Sequence, residues 1–283
     1  MQKIFLFVSF FCLSVNWSIA QDPSEYIKAN AVQMEAPDKL NDSIYNLLSP
    51  YRIILLGEMH GINESAQFVG GLIDLFTESG DSVLLGMEIP SQYMKSFLAE
   101  GTDSSVYASD FFSNLSWRDG RQSTAWADLI VKAHRLRKCK VFFFDINDSD
   151  GKDVDRDFVM YKNIKAQCER NQNFRIITLS GNYHNPTKSP EEKTMGYYVA
   201  HDSMLVQQSA LCSLNIYFIK GQMRNDSGNG LELKSLDKGD DIFTKTLSWD
   251  YFIMMANPKK SYPYTGIYFV KTITAAAMVK ELK

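Results

Sequence analysis

Four short apolar runs punctuate the first two thirds of the chain: Ile53 to Leu56, Val83 to Met87, Val141 to Phe144, and Ile176 to Leu179. None alternates with polar residues, so each predicts a strand buried on both faces of a sheet. Between them the apolar positions recur at helical spacing, as in Phe68, Leu72, Ile73 and Phe76, and again in Trp126, Leu129, Ile130, Ala133 and Leu136. Strands alternating with helices predict one α/β domain with a central, mostly parallel β-sheet flanked by helices. A lead-in helix is expected over Asn41 to Leu48. The aromatic stretch Gly101 to Ser123 reads as an insertion of short helices over the strand ends. After Pro190, strands are expected at Met204–Ser209, Leu214–Lys220 and Gly266–Lys271, with a closing helix from Thr272 to Lys283.

The candidate chemistry stands at the ends of these runs. The first ends in Glu58 and His60, with Glu64 four residues on. The second ends in Glu88, the third in Asp145 and the fourth in His184. Parallel strands joined by right-handed crossovers bring all four ends to one edge of the sheet, and open α/β sheets bind ligands in the crevice there. Two of the four histidines stand in a Gly-x-x-His setting, Gly57 to His60 and Gly181 to His184. Such a set supports two chemistries. His60, His184 and Glu88 could hold a divalent metal (Mn, Co, Fe or Zn) that lowers the pKa of bound water. Alternatively, His60 could act as a metal-free general base oriented by Glu58 or Glu88, with Arg118 or Arg121 stabilising an oxyanion. Trp117, Arg118, Arg121 and Asn182 complete the expected substrate-binding set, the two arginines beside Trp117 suiting an anion clamp. The structural readings are simpler. A lone acid at a strand end, such as Asp145, often caps the next helix. His134 belongs to a solvated helix face, and His201 either stays outside the cleft or enters it.

Composition narrows the class. Met1-Gln2-Lys3, the apolar stretch Ile4 to Val15, and Ser18-Ile19-Ala20 before Gln21 have the form of a secretory signal peptide, too short to span a bilayer comfortably. A retained N-terminal anchor is the rival. Removing 20 of 283 residues leaves 263, read as a single domain over residues 21–283 with its core at 50–220. Of 30 basic residues only Lys3 is lost, leaving 29 against 33 acidic ones, a net −4. So mild a balance implies no nucleic-acid partner and no polybasic membrane patch, and leaves a small molecule or a peptide as the expected substrate. Oligomeric state is not legible. Cys139, Cys168 and Cys212 cannot all pair and form no CxxC, so they read as buried apolar residues. An Asn-x-Ser sequon at Asn63 beside His60 favours a source that leaves such sites unglycosylated, such as a bacterium.

The motif order resembles the superfamily that groups the Tiki/TraB proteins, the ChaN-type haem-binding proteins and the erythromycin esterases. The residues carrying it are Gly57-Glu58-x-His60-Gly61 with Glu64, Gly86-Met87-Glu88, Trp117, Arg156-Asp157-x-x-Met160-x-x-Asn163-Ile164, Gly181-Asn182-x-His184 and Met195-Gly196. The resemblance runs from about residue 50 to 200. It implies a mixed sheet flanked by helices, with both Gly-x-x-His histidines and Glu88 in the cleft. It leaves three chemistries open: metal-dependent peptidase, esterase with a histidine base, and haem or iron carrier. Taken together, the expectation is an exported, periplasmic or secreted hydrolase of an ester or amide, with a haem or iron carrier as the alternative.

Overall fold

The structure, a computed structural model, describes residues 22–113, 119–151, 153–188, 193–205, 210–226, 230–257 and 261–282. The expected leader lies outside them. In chain order the elements are α1 (Pro23–Asn30), β1 (Ala31–Gln33), α2 (Asp42–Leu48), β2 (Ile53–Glu58), α3 (Glu64–Glu78), β3 (Ser82–Pro90), α4 (Lys95–Glu100), α5 (Asp103–Ala108), α6 (Asp110–Ser113) and α7 (Thr124–Arg135). The second half comprises β4 (Cys139–Asp145), α8 (Arg156–Arg170), β5 (Phe174–Gly181), α9 (Met195–His201), β6 (Leu211–Asp226), β7 (Leu231–Asp237), α10 (Ile242–Thr246), β8 (Tyr251–Met255) and β9 (Gly266–Ile273).

One sheet of nine strands holds the molecule together, in the order β1-β8-β9-β6-β2-β5-β3-β4, with β7 paired to β6. The pairs β2–β5, β2–β6, β3–β4, β3–β5 and β6–β9 are parallel, whereas β1–β8, β8–β9 and β6–β7 are antiparallel. The fold is therefore the expected α/β sheet, mostly parallel, with an antiparallel extension beyond β9.

The unbroken apolar runs are explained by burial on both faces. On β2, Ile54 and Leu56 pack under α3 and α7 with Phe68, Leu72, Trp126 and Leu129. Ile53 and Leu55 face the opposite layer, with Met160 and Ile164 of α8 and Val199 of α9. A strand covered on both sides has no polar face to alternate with.

Two expected elements differ. The closing helix does not form: β9 runs to Ile273, and the chain then pairs with the strand-end loops through Ile62↔Ala275 and Ser123↔Met278 before a 3₁₀ turn at Val279–Leu282. Those backbone groups are taken by tertiary partners, among them Gly61 O for Ala276 N and Ala277 O for Thr124 N. Nor does a strand begin at Met204. Asp202 Oδ1 there accepts from the amides of Met204 and Leu205 and closes a turn, while residues 206–209 lie outside the described set. Strand β6 runs further than expected, from Leu211 to Asp226, and its hairpin partner β7 is an additional strand. Among the described residues, no helix is long and apolar enough to cross a membrane.

Candidate active site

Parallel pairing sets the carboxyl ends of β2, β5, β3 and β4 along one edge. Glu58 stands opposite Gly181, and Met87 opposite both Leu179 and Phe143. Between β3 and β4 the register slips: Met87 pairs with Phe143, but Pro90 pairs with Asp145. A bulge of this kind re-aims side chains at a strand end, and Glu88 lies within it.

Glu88 is 1% exposed and fully engaged. Its Oε2 accepts the amide of Gly181 at 2.6 Å, and its Oε1 accepts from Arg121 Nη1 at 3.0 Å and Arg156 Nη2 at 2.6 Å. Burial alone would push its carboxyl up. Arg121, His60, His184 and Arg156 overrule it and hold it well below the usual carboxylate range. Asp145 is not a helix cap. It receives Arg121 Nη1 at 3.0 Å and Arg156 Nε and Nη2 at 2.8 Å each, so two buried acids, the buried Arg121 and the partly exposed Arg156 form a quartet.

Beside the quartet stand two histidine–carboxylate pairs. Glu58 Oε1 makes a short contact with His60 Nδ1, while its other oxygen is buried with no hydrogen-bond partner among the described residues. Burial raises the Glu58 carboxyl, against the pull of His60. Burial would lower His60, but Glu58 and Glu88 outweigh it and hold the imidazole above its ordinary value. The pair thus binds its proton more tightly than either group would alone. His60 Nε2 has no hydrogen-bond partner among the described residues; it lies 3.1 Å from where a side chain on Gly181 would begin. Trp126 meets the His60 ring edge-on at 5.9 Å. In the second pair, His184 Nδ1 lies 2.9 Å from Asp157 Oδ1, with Nε2 3.7 Å from Glu88 Oε1 and 3.4 Å from Arg156 Nη1.

Other expected residues take different roles. Arg121 is not an open anion clamp: it is 3% exposed and held by Asp119, Glu88 and Asp145. Burial would lower its pKa, but Glu88, Asp119 and Asp145 outweigh that and raise it above the ordinary value. Asn182 packs over Gly57, 3.0 Å from Cα to the position a Cβ would take there, and its carbonyl accepts from Tyr264 Oη at 2.8 Å. Trp117 and Arg118 lie outside the described residues. Glu64 turns away from the cleft and binds the amide and hydroxyl of Thr274. His201 is exposed, bonded to its own helix at Tyr197 O, and His134 bonds Gly101 O on the surface. Arg156 and Asp157 were legible only through the family pattern, since their alignment with the site depends on where α8 starts.

The metal reading does not fit these donors. A divalent ion needs free lone pairs, yet both Glu88 oxygens are occupied, and two guanidinium cations stand where the ion would sit. No group of three His, Cys, Asp or Glu among the described residues has metal-binding geometry. For haem, His60 Nε2 is the open imidazole nitrogen of the two strand-end histidines, but beside the apolar Trp126 stand the charged Glu58, Glu88 and Arg121, whereas a macrocycle needs predominantly apolar walls. The cysteines are free and buried, as expected.

No family model and no curated protein matches the sequence. Solved structures do. A histidine mutant of erythromycin esterase EreC in its open conformation superimposes with a TM-score of 0.61 at 11% identity, covering 88% of this chain and 99% of that one. The chain shares its fold with EreC. Two further structures share it: a Bacillus cereus protein (TM-score 0.62, 12% identity, 90% and 98% covered) and a succinoglycan biosynthesis protein (0.61, 10%, 90% and 97%). Each is matched over nearly its whole length.

Proposed function

We propose that this chain is an exported, metal-independent hydrolase of carboxylic esters or lactones, in which His60 removes the proton from the attacking water. One observation carries the reading: Glu58 grips His60 through Nδ1 and leaves Nε2 without a hydrogen-bond partner among the described residues, at the strand edge. A buried acid that fixes the imidazole tautomer and steadies the imidazolium is what a histidine base requires. The hydrolase reading draws further support from the fold shared with EreC. Preference for esters over amides rests on the same comparison, and the apolar leader at Ile4 to Val15 supports export.

The test is turnover of a panel of p-nitrophenyl esters, a macrolide lactone and a chromogenic peptide by purified protein, with and without EDTA. Ester or lactone turnover that resists EDTA and disappears in His60→Asn, with unchanged circular dichroism, is the expected result. Turnover that survives in His60→Asn, or is confined to the peptide with EDTA present abolishing it, would overturn the proposal. N-terminal sequencing of the protein recovered from a cell envelope fraction should begin at Gln21 if export and cleavage occur.

A further inference from the structure

We infer that Arg156 supplies, through its Nη1 edge, the hydrogen-bond donor that receives the substrate's carbonyl oxygen as it becomes negative; this rests on the hydrolase reading above. Of the two guanidiniums in the quartet, Arg121 is sealed. Its side chain is 4% exposed, its Nε and Nη2 bind Asp119, and its Nη1 is shared between the Glu88 carbonyl, Glu88 Oε1 and Asp145 Oδ2. Arg156 is held along one side only. Nε and Nη2 bind Asp145 and Glu88, fixing the plane of the fork, while the side chain remains 36% exposed. Nη1 makes a single long contact, 3.4 Å to His184 Nε2, which leaves its second N–H without a partner among the described residues. A rigid donor edge that is charged, pre-oriented by two buried carboxylates, and incompletely satisfied is the arrangement that stabilises charge developing in a transition state.

Water gives a proton to His60 Nε2 as its oxygen bonds to the ester carbon, and the carbonyl π pair moves onto oxygen, where Arg156 Nη1–H meets it. The pair returns as the carbon–alkoxy bond breaks, and the alkoxide leaves with the proton from His60. Acid and alcohol are released, and no co-reactant is consumed.

Two measurements test this, on wild type, Arg156→Ala and Arg156→Lys: steady-state ester hydrolysis, and calorimetric binding of the ethyl phenylphosphonate monoanion as a tetrahedral mimic. Removing an oxyanion donor lowers kcat by roughly 100- to 1,000-fold. Such a loss is expected in Arg156→Ala, with KM within about threefold and partial recovery of kcat on adding millimolar guanidinium. Phosphonate binding should weaken at least tenfold in both variants, and remain in His60→Asn. Should Arg156→Ala fail to fold, Arg156→Lys, which keeps a cation near Glu88 and Asp145, decides the matter through the same readouts. Hydrolysis by wild type with kcat and phosphonate affinity unchanged in the variants would overturn this inference and leave the hydrolase standing. Phosphonate binding that depends on Arg156, without turnover of any ester, would retain the anion site and remove the hydrolase. Loss of kcat matched by loss of structure, with no guanidinium rescue, would reduce Arg156 to a structural ion pair.

Discussion

Glu88 Oε2 accepts the backbone amide of Gly181 at 2.6 Å, binding the end of β3 directly to the end of β5. The same glycine leaves room for the His60 ring, because a Cβ there would lie 3.1 Å from Nε2 and 3.6 Å from Glu88 Oε2. Gly181 has ordinary extended φ and ψ, −53° and 139°, so alanine meets no backbone strain. Gly181→Ala should therefore fold with a melting temperature near wild type while ester turnover falls by an order of magnitude or more. Thermal melts beside kinetics check this; unchanged turnover would place the open face of His60 elsewhere.

The two arginines should separate by stability. Removing one partner from a buried ion network leaves uncompensated charge and typically costs about 3–5 kcal/mol. Arg121→Ala should lose that much in urea unfolding, since Glu88, Asp119 and Asp145 all depend on it. Arg156→Ala should lose clearly less, because it is partly solvated and Arg121 still serves both buried acids. Equal losses would contradict the division of labour between them.

Acid and alkali should act on different groups. Glu88 is depressed in the folded state, so the stability it contributes is present above the unfolded carboxylate value near 4.5 and is lost as pH falls below it. His60 is raised, so its contribution is complete below about 6.5 and declines as pH rises through the folded value. Turnover requires the neutral base, and should therefore climb with an apparent pKa above 6.5 assigned to the Glu58–His60 pair. Glu58→Gln should move that limb down. A pH–rate profile with its limb at or below 6.5 in wild type would contradict the pairing.

Glu64 offers a control outside the cleft. It is 5% exposed and receives the Thr274 amide at 2.9 Å and hydroxyl at 2.5 Å, tying the start of α3 to the chain beyond β9. Glu64→Ala should destabilise by about 1.5–3 kcal/mol, the range for hydrogen bonds to a charged group, with KM and kcat per folded molecule unchanged. A selective loss of kcat would return Glu64 to the site.

The sequence by itself determined the parallel core and its chemical edge. Runs such as Ile53 to Leu56 and Val141 to Phe144 admit no solvent face, and right-handed crossovers then leave Glu58, Glu88, Asp145 and His184 a common edge. The sense of each histidine was not legible, because a hydrogen-bond partner is a matter of three-dimensional reach. Glu58 lies two residues from His60, but Asp157 lies 27 residues from His184 and meets it only through the packing of α8. The roles of the arginines were decided the same way. Arg121 and Arg156 look alike in a sequence, and burial alone makes one a sealed strut and leaves the other an open edge. The tail from Thr272 carries a helical pattern, yet its amides and carbonyls are claimed by Gly61, Glu64 and Thr124, and a local propensity yields to partners already fixed in the sheet.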